Sequence, residues 1–561
     1  MRQDRAGPAE RLVLAAVVAI IAFVGIRLCI GPEETLAFLF YDDAYYYFGV
    51  ARNLASGLGS TFDGINPTNG YHPLWCWLLV PVLAVVDGPG PALRGIGALW
   101  FVLAALAPCA LWRALRPRTG ATGAVMAAAL FGLQPVLAAG LSRPNGLETP
   151  LYAVLIAVAI GRFERAAGSA PSPPPPAAML ALGIALGAVT LARLDGGMLG
   201  VAGVALLAMH GFRDWGPRAV AGRVGILVAA ATVVVGPSLI WNVARFDHPV
   251  PVSGRAVSLA AADERAGLGG TLSTANLRRR AGYALARVPA QLARGAVKGS
   301  PIEGPLVRSG SLGGAAALAL TGGLLTLGLA RRRRAGPLLT DALAVLASFC
   351  ALHYAAYVLW LWASGETWYR LYYFMPEVML LAAACGAALG PSLDAVRSPV
   401  LRWSVATAGL ALLGWHVWDH AARTRSSYQA PPGPVAERHI YAWVRERTAP
   451  GEVLGARDAG KLGFFSHRPV VNLDGLINDQ RLLGALRENR VAEYVCRSPI
   501  RYLLYDRPLL GGFDPASPAV PPPDAADVGL TLHRLHGLPG CSIREVPGAT
   551  DDWVVIEVNR M

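Results

Sequence analysis

The chain has 561 residues, of which 54% are hydrophobic and 16% are charged, and its mean hydropathy is +0.42. Ordinary soluble domains carry about 25% charged residues, so this composition excludes a purely soluble protein and indicates a polytopic membrane protein. The net charge of +13 does not point to nucleic acid, because the arginines cluster at the ends of apolar segments, as positive-inside topology produces.

Apolar runs of about 20 residues, the length that crosses a bilayer, recur along the chain. The sequence predicts about eleven transmembrane helices, near residues 12–30, 95–112, 121–141, 150–167, 178–193, 196–211, 223–241, 311–330, 338–361, 371–390 and 400–418. The first run lacks a small-x-small cleavage site, so we expect a retained anchor. The Trp-rich run Pro73–Val86 is too short to span the membrane, which favours a helix lying in the interface.

The distribution of arginine predicts the orientation of the chain. If 73–86 does not cross, every loop on one side of the membrane is basic, including the loop with Arg113 and Arg116 and the run Arg331–Arg334. The positive-inside rule makes this side cytoplasmic. The heavy use of Ala, Gly, Pro and Arg is typical of a high-GC bacterial coding sequence. We therefore predict a multi-pass protein of the bacterial inner membrane, with a cytoplasmic N-terminus and an extracytoplasmic C-terminus.

The predicted organisation has two domains, a transmembrane catalytic domain over 1–418 and a small extracytoplasmic α/β domain over 419–561. Within the first, 31–94 is the first extracytoplasmic loop with interfacial helices, and 242–310 is a long extracytoplasmic segment. The α/β prediction rests on helix-like runs that alternate with short apolar runs of strand length.

The positions of the cysteines and the absence of common catalytic motifs exclude some classes of function. Cys496 and Cys541 lie in the C-terminal region and could form a disulfide if that region is extracytoplasmic. The other cysteines lie in or beside apolar runs, where they are packing residues. The sequence contains no Walker loop, no HExxH motif and no paired CxxC motif, which argues against a cytosolic nucleotide-driven enzyme.

Acidic residues gather on the extracytoplasmic face. Asp42 and Asp43 follow the first span, where adjacent carboxylates are costly unless they bind or catalyse something. One could remove a proton from a hydroxyl nucleophile, and one could hold a divalent cation such as Mg²⁺ or Mn²⁺. The competing interpretation is a solvated loop with helix-capping acids. Glu148 is a third acid on this face, and a helix first-turn charge explains it equally well.

Single basic residues on the same face are candidates for binding a phosphate. Arg370 lies among aromatic residues before a span and could clamp a phosphate bidentately, although snorkelling in an aromatic belt is the simpler explanation. Arg193 ends a span and could instead pair with Asp195. Arg255 is a weaker candidate of the same kind. His72, before the interfacial helix, could be a ligand, a proton shuttle or a structural residue.

Five motifs carry a resemblance to a known family. The stretch Tyr41–Trp75 (YDDAYYYFGVARNLASGLGSTFDGINPTNGYHPLW) resembles the first extracytoplasmic loop of GT-C glycosyltransferases. NGLETPLY resembles their second acidic loop, and LARLDG and RLYYFMP resemble further motifs at the membrane boundary. DAGKLGFFSHRPVVNLDGLIND looks like the tail of bacterial members near the protein mannosyltransferase and arabinosyltransferase groups.

The resemblance implies an inverting glycosyltransferase that uses a polyprenyl-phosphate sugar as donor and a cell-envelope glycan, lipid or protein as acceptor. It makes Asp42 or Asp43 the base, without choosing between them, and Asp43 and Glu148 the candidate metal ligands. Arg370 and Arg193 are candidates to meet the donor phosphate. The main alternative is a membrane transporter or flippase, which would need ionisable residues near the bilayer midplane and often internal repeats.

Overall fold

A computed structural model provides the structure of the chain. The residues that it describes are 8–133, 144–167, 172–267, 273–282, 341–357, 371–395, 433–507, 527–547 and 552–560, with isolated residues between 285 and 415. They belong to two compact units. The first unit contains Met1–Leu39, Ile96–Pro237 and Ala261–Arg425, and the second contains Phe40–Gly95, Ser238–Ala260 and Ser426–Met561.

Helices dominate the described residues up to Asp394. In chain order they are α1 (Pro8–Cys29), α2 (Glu33–Leu39), α3 (Asp42–Ala55), α4 (Pro73–Ala84), α5 (Pro89–Gly132), α6 (Thr149–Ala167), α7 (Pro176–Ala192), α8 (Gly197–Asp214), α9 (Pro217–Phe246), α10 (Val252–Gly267), α11 (Thr274–Gly282), α12 (Ala342–Tyr354) and α13 (Met375–Asp394). The predicted interfacial run 73–86 forms the short helix α4.

Several described helices are apolar and long enough to cross a membrane, as expected for a membrane protein. By length and composition there are five such stretches among the described residues: Glu10–Cys29, Pro89–Gly132, Leu194–Asp214, Pro217–Phe246 and Tyr372–Asp394. Shorter apolar helices cover Pro73–Ala84, Pro176–Ala192 and Ala342–Tyr357. The predicted spans near 311–330 and 400–418 lie largely outside the described residues.

The long helix α5 contains the predicted span 95–112 and the first part of the predicted span 121–141, of which residues 134–141 lie outside the described residues. Gly120 has φ 73° and ψ −177° inside it, so two helices meet at this residue rather than forming one continuous rod. Only glycine adopts such a positive φ without strain. Beyond the break, Gly123 packs closely on α13, because a Cβ at Gly123 would lie 2.7 Å from the carbonyl oxygen of Gly386. Small residues permit this close approach between apolar helices.

The C-terminal region forms an α/β structure in the second unit. Its elements are α14 (Gly433–Arg447), β1 (Val453–Ala456), α15 (Gly460–Ser466), β2 (Val470–Asn472), α16 (Gln480–Arg487), α17 (Val491–Arg497), β3 (Ile500–Asp506), α18 (Asp527–Gly537), β4 (Cys541–Glu545) and β5 (Trp553–Arg560). The five-stranded sheet has the order β2-β1-β3-β5-β4. Strand β1 is parallel to β2 and β3, and β5 is antiparallel to β3 and β4.

The core of this sheet follows from the apolar runs in the sequence. The runs RPVVNLD, IRYLLYD and WVVIEV contribute β2, β3 and β5, and their buried side chains include Val471, Leu503 and Ile556. Apolar burial of this kind is the main favourable term in folding. The disulfide candidates of the sequence, Cys496 and Cys541, are bonded to each other, which joins α17 to the first residue of β4.

Candidate active site

Helix α3 places the adjacent acids of the first loop in its first turn. Tyr41 precedes the helix in an extended conformation, with φ −67° and ψ 154°, and Asp42 and Asp43 are its first helical residues. Acidic side chains in a first turn interact favourably with the positive end of the helix dipole. The N-cap residue of α3 is Tyr41, and the favourable charge of the two acids at this helix end does not account for the contacts of Asp42 with the C-terminal region.

Asp42 contacts the start of α15 with both carboxylate oxygens. Its Oδ2 accepts a hydrogen bond from the backbone N–H of Gly460 at 2.9 Å, and its Oδ1 accepts one from Lys461 at 2.7 Å. Burial raises the pKa of Asp42 to about 6, and the negative charge of Asp458 adds to this rise, while the two N–H donors oppose it. Asp42 thus joins α3 to the C-terminal region within the second unit.

Tyr46 lies one helical turn after Asp42 and reaches the same part of the C-terminal region. Its hydroxyl accepts hydrogen bonds from Asn472 Nδ2 at 3.0 Å and from the N–H of Ala459 at 3.4 Å. The hydroxyl proton has two possible acceptors at 3.3 Å, the carbonyl oxygen of Arg457 and Asp474 Oδ2. Spacing of four residues puts two side chains on one helix face, so α3 presents a single polar face to this region.

Asp474 is another carboxyl whose pKa is raised toward neutrality. Burial raises its pKa to about 7, with further contributions from the charges of Asp458 and Asp43, while the N–H of Leu476, which donates to Oδ1 at 2.8 Å, opposes the rise. We call Asp42, Asp43, Asp458 and Asp474 the acid cluster. Carboxyl groups with pKa values near neutrality can exchange protons at physiological pH, which is what a general base requires.

The turn after α3 is held by its own acid. Asp63 Oδ1 accepts hydrogen bonds from the N–H groups of Ile65 and Asn66 at 2.8 and 2.7 Å, and Oδ2 accepts one from Asn66 Nδ2 at 2.7 Å. This is the side-chain-to-backbone pattern of an Asx turn. Asp63 therefore has a structural role in the first loop.

The first loop also contacts the two other parts of the second unit, Ser238–Ala260 and Ser426–Met561. Asn69 Nδ2 donates to Asn242 Oδ1 at 3.1 Å, and Asn69 Oδ1 accepts from the N–H of Val252 at 3.0 Å. Thr68 Oγ1 donates to the carbonyl oxygen of Asn478 at 3.1 Å. Much of the motif that resembles a GT-C first loop thus packs against other segments of its own unit.

The remaining candidates of the second unit make other contacts. Arg255 in α10 donates from Nη1 to Gln480 Oε1 at 2.6 Å. His72 stands at the start of α4, where its backbone N–H donates to the Tyr47 hydroxyl at 3.4 Å and its ring lies 6.4 Å from the Tyr47 ring. Arg370 lies outside the described residues.

The first unit contains a buried ionic network around Arg193. Arg193 Nη1 lies 3.0 Å from Glu148 Oε1, and Nη2 lies 3.0 Å from Asp195 Oδ2. Only 4% of the Arg193 side chain is exposed, and the Tyr357 hydroxyl donates to Asp195 Oδ2 at 2.7 Å. The guanidinium also lies over the Tyr152 ring at 5.5 Å. Arg193 was a predicted phosphate ligand, but two carboxylates already contact its guanidinium and neutralise its charge.

The network continues through a histidine that the sequence did not single out. His353 in α12 has Nδ1 at 2.7 Å from Glu377 Oε1 and Nε2 at 3.4 Å from Asp195 Oδ2. The side chain of His353 is fully buried. An ionisable residue inside an apolar helix was the available signal, because such residues are costly there and mark functional or bracing positions.

The carboxylates of both units are hard oxygen donors of the kind that Mg²⁺ and Mn²⁺ prefer. Among the described residues, however, no group of three or more His, Cys, Asp and Glu side chains is arranged to hold a metal ion. A metal site that uses Asp43 and Glu148 remains a prediction.

Comparison with protein families identifies only the C-terminal region. A family model described as "Domain of unknown function (DUF8728)" matches residues 422–555. No curated protein sequence matches the chain. The family match covers the region that contains the sheet and assigns no activity to it.

Solved structures similar to the whole chain are membrane glycosyltransferases. ArnT from Cupriavidus metallidurans, bound to undecaprenyl phosphate, has a TM-score of 0.54 and 13% identity, with 98% of each chain covered. Archaeal AglB from Archaeoglobus fulgidus, an oligosaccharyltransferase in complex with an inhibitory peptide and a dolichol-phosphate, has a TM-score of 0.51 and 15% identity, over 99% of this chain and 75% of that one. The apo oligosaccharyltransferase from the same archaeon has a TM-score of 0.50 and 16% identity, over 98% and 74%.

These neighbours share the GT-C fold. The chain therefore has the fold of GT-C glycosyltransferases, and the resemblance seen in its first loop is confirmed at the level of the fold.

Proposed function

We propose that this protein is an inverting glycosyltransferase that moves a sugar from a polyprenyl-phosphate-linked donor to an extracytoplasmic acceptor. The observation that supports this most directly is the GT-C fold over 98% of the chain together with two carboxyls of raised pKa, Asp42 in the first loop and Asp474 in the C-terminal region. Neighbours with this fold were solved with undecaprenyl phosphate and dolichol-phosphate. A polyprenyl phosphate is therefore the donor class that the fold favours.

In the proposed reaction, a carboxylate of the first loop takes the proton from an acceptor hydroxyl. The resulting oxygen nucleophile attacks the anomeric carbon, the bond from that carbon to the phosphate oxygen breaks, and polyprenyl phosphate leaves. Asp42 and Asp43 are the candidates for the base, and general base catalysis of this kind contributes about 100- to 10,000-fold. Glu148, His72 and a divalent ion remain proposed as assisting groups.

The departing phosphate needs a positive partner, because charge develops there as the bond breaks. Arg370 is the candidate we retain. Arg193 is less suited, since Glu148 and Asp195 already contact it. Arg255 keeps a role in this proposal only if its bond to Gln480 opens.

The proposed topology has about eleven spans, a cytoplasmic N-terminus and an extracytoplasmic α/β domain over 419–561. The disulfide between Cys496 and Cys541 supports the placement of that domain, because disulfides persist in oxidising compartments outside the cytoplasm. The acceptor would then be an envelope glycan, lipid or protein.

A transporter or flippase for a lipid-linked substrate is the second candidate. The buried network of Glu148, Arg193, Asp195, His353 and Glu377 favours it, because ionisable groups among apolar helices often mark transport pathways.

Donor turnover distinguishes the two functions. The purified protein in lipid is given a panel of polyprenyl-phosphate sugars with a crude envelope extract as acceptor, and release of polyprenyl phosphate is followed with Mg²⁺, with Mn²⁺ and with a chelator. If the protein is a glycosyltransferase, it consumes one of the sugars. Comparison of the reactions with Mg²⁺, with Mn²⁺ and with the chelator then shows whether it requires a metal. If no sugar is consumed, but the labelled donor crosses the bilayer of a proteoliposome, the transport function replaces the proposal.

A further inference from the structure

We propose that a polar cavity in the second unit binds the glycan part of the acceptor, and that this ligand is an uncharged chain of sugar units. The cavity is formed by the first loop and helices α16 and α17. Its lining includes Asn66, Arg481, Glu488, Glu493, Tyr494 and Arg497. Glycan binding stands on the cavity itself, whereas the role of the cavity as the acceptor site rests on the proposed function.

The polar cavity has the size of a small-molecule site. Its volume is about 570 Å³, and sites for small ligands in proteins measure about 300–1,000 Å³. A second cavity of about 410 Å³ shares two lining residues with it, Arg490 and Glu493. Two neighbouring cavities suit an elongated ligand of several units better than a single compact molecule.

Arg481 is a hydrogen-bond donor that the surrounding structure holds in place. Its Nε donates to Asp479 Oδ2 at 2.7 Å, and its Nη2 donates to Asn66 Oδ1 at 3.3 Å. Only 6% of each of these two partners is exposed, and Asn66 is held in turn by Asp63. Arg481 Nη1 takes part in neither bond, and 75% of the Arg481 side chain is exposed, so its remaining N–H groups can donate to a ligand. A donor that is fixed before binding loses little conformational entropy.

The charged groups of the polar cavity largely balance one another. Arg490 contacts both Glu488 and Glu493, and Arg497 Nη2 lies 3.7 Å from Glu493 Oε2. A phosphate or carboxylate ligand would therefore meet the like charges of two glutamates. A sugar hydroxyl can instead accept a hydrogen bond from a guanidinium and donate one to a carboxylate. The lining thus favours an uncharged polyhydroxylated ligand over an anion.

The polar cavity also offers a small apolar surface for the C–H face of a sugar. Tyr494 and Ile65 both line it, and 43% of Ile65 is exposed. Tyrosine supplies a rigid contact surface with an apolar body and a polar tip. The Tyr494 hydroxyl accepts a hydrogen bond from Asn478 Nδ2 at 3.4 Å, and the carbonyl oxygen of Asn478 accepts one from Thr68 Oγ1. Tyr494 is thereby tied to the loop that carries the two candidate bases.

Peptide and lipid acceptors fit this lining less well. A peptide commonly binds by adding a strand to the edge of a sheet, but none of the five described strands contributes to the cavity. A lipid chain would need a mainly apolar lining, whereas most of the residues around this cavity are charged or polar. A glycan is therefore the class of acceptor that the second unit favours.

Binding of soluble oligosaccharides to the full chain in lipid nanodiscs tests the cavity without any donor. The probes are linear tetrasaccharides of mannose, arabinose or glucose, and titration calorimetry measures their Kd. We expect one of them to bind, and we expect Arg481→Gln to weaken it about tenfold, as loss of a charged hydrogen bond implies. Gly484→Trp should abolish binding. Gly484 lines the cavity, and a Cβ there meets nothing within 4 Å, which leaves room for a large side chain.

Gly451→Trp is the matched control for the tryptophan variant. A Cβ at Gly451 also meets nothing within 4 Å, and Gly451 does not line the cavity, so the Kd should stay unchanged. Thermal unfolding of all three variants checks that they fold, and the exposed position of Arg481 keeps Arg481→Gln usable if Gly484→Trp does not fold. Two further probes, inorganic phosphate and an uncharged tetrapeptide, test the class of ligand, and neither should bind.

The role as acceptor site is tested in the donor-turnover assay, with the tetrasaccharide that binds as the acceptor. Arg481→Gln should raise the KM for the acceptor about tenfold and leave kcat nearly unchanged, because it removes binding energy that the ground state and the transition state share. An unchanged KM in a variant that binds the tetrasaccharide more weakly overturns the acceptor role.

The binding outcomes decide the rest. An equal Kd in the wild type, Arg481→Gln and Gly484→Trp overturns the site, and so does absence of binding by every tetrasaccharide at millimolar concentration. Binding of phosphate or of the peptide in place of the sugars overturns the class of ligand. If the cavity variants weaken tetrasaccharide binding but the wild type consumes no donor, the proposed function fails and the acceptor role fails with it, while the glycan-binding cavity stands.

Discussion

In the first unit the carboxylates of Glu148 and Asp195 contact the guanidinium of Arg193. In the second unit the carboxyls of Asp42 and Asp474 are instead held by backbone N–H groups, and Asp474 also lies beside the Tyr46 hydroxyl. A fixed cation cancels the charge of a buried acid. Neutral donors stabilise the charge without cancelling it, so burial still raises the pKa of Asp42 to about 6 and that of Asp474 to about 7.

The difference separates two uses of buried acids. A carboxylate paired with arginine stays ionised and braces the helices around it, and removal of its partner leaves an uncompensated charge. A carboxyl with a pKa near neutrality can take up and release a proton at the working pH, which suits acid–base chemistry. The predictions below test whether the two units really differ in this way.

The largest effect is expected for Arg193→Met, which keeps much of the side-chain volume but leaves Glu148 and Asp195 buried without their cation. Loss of one partner of a buried ion pair costs about 3–5 kcal/mol, and thermal unfolding in detergent should show it. Arg213→Met, at an exposed position of α8, is the control and should have little effect. A variant that unfolds like the wild type but no longer binds donor would instead restore Arg193 as a phosphate ligand.

The second prediction concerns pH and the variant Asp474→Asn. The pKa of Asp474 rises from 3.8 to about 7 on folding, so the folded state binds this proton more tightly than the unfolded state. Its contribution to stability is therefore present below about pH 4 and is lost as the pH rises to about 7. Asparagine mimics the protonated form at every pH. The variant should match the wild type only below about pH 4, should already be more stable than the wild type at pH 5, and should exceed it at pH 8 by about 3–4 kcal/mol.

Thermal unfolding of both proteins from pH 5 to pH 8 measures this difference. Glu446→Gln, which neutralises an exposed acid of α14, serves as control and should show no comparable dependence on pH. If Asp474→Asn is less stable than the wild type at pH 8, then the carboxylate is ionised and well solvated or paired, and the two units hold their acids in the same way.

A smaller effect is expected for Gly70→Ala, which disturbs the second unit without touching an acid. A Cβ at Gly70 would collide with the carbonyl oxygen of Leu476, and overpacking of this kind costs about 1–3 kcal/mol. Gly484→Ala in α16 is the matched control, because its Cβ would meet open space. Hydrogen exchange should rise in peptides of the second unit and stay constant in those of the first.

Much of the fold and part of the site were accessible from the sequence. Hydropathy predicted apolar membrane helices, and five stretches among the described residues are long and apolar enough to cross a membrane. The first-loop motif predicted the GT-C fold that the structural neighbours confirm. Asp42 and Asp43 stood out because acids next to a membrane anchor need a reason. The contacts of Asp42 were not predictable, because Gly460 lies 418 residues away and its role there is that of a backbone donor, which leaves no side-chain signal.

The ionic network around Arg193 in the first unit could be predicted from the sequence only in part, for a related reason. The pairing of Arg193 with Asp195 was an explicit alternative in the sequence, since the two residues lie in one turn. His353 and Glu377 were missed, because each lies in an apolar run whose periodicity indicates packing only. Their 2.7 Å contact depends on how two helices pack, and hydropathy does not predict that.

The smallest expected effect is that of Tyr46→Phe, which removes a neutral partner from the acid cluster. Asn472, which is fully buried, would lose the acceptor of one of its Nδ2 hydrogen bonds, although it keeps the bond to the carbonyl oxygen of Arg457 at 2.8 Å. A cost of about 1–2 kcal/mol follows. Tyr502→Phe, at a partly exposed position of β3, should change stability by no more than about 0.5 kcal/mol.

The pH dependence of Tyr46→Phe shows where the hydroxyl proton points. If it is donated to Asp474, its loss destabilises the ionised carboxylate, and the variant should lose more stability at pH 8 than at pH 5. If it is donated to Arg457, the loss should be the same at both pH values. Only the first result would mean that a neutral side-chain donor supports an ionised acid in the second unit, as Arg193 supports the acids of the first.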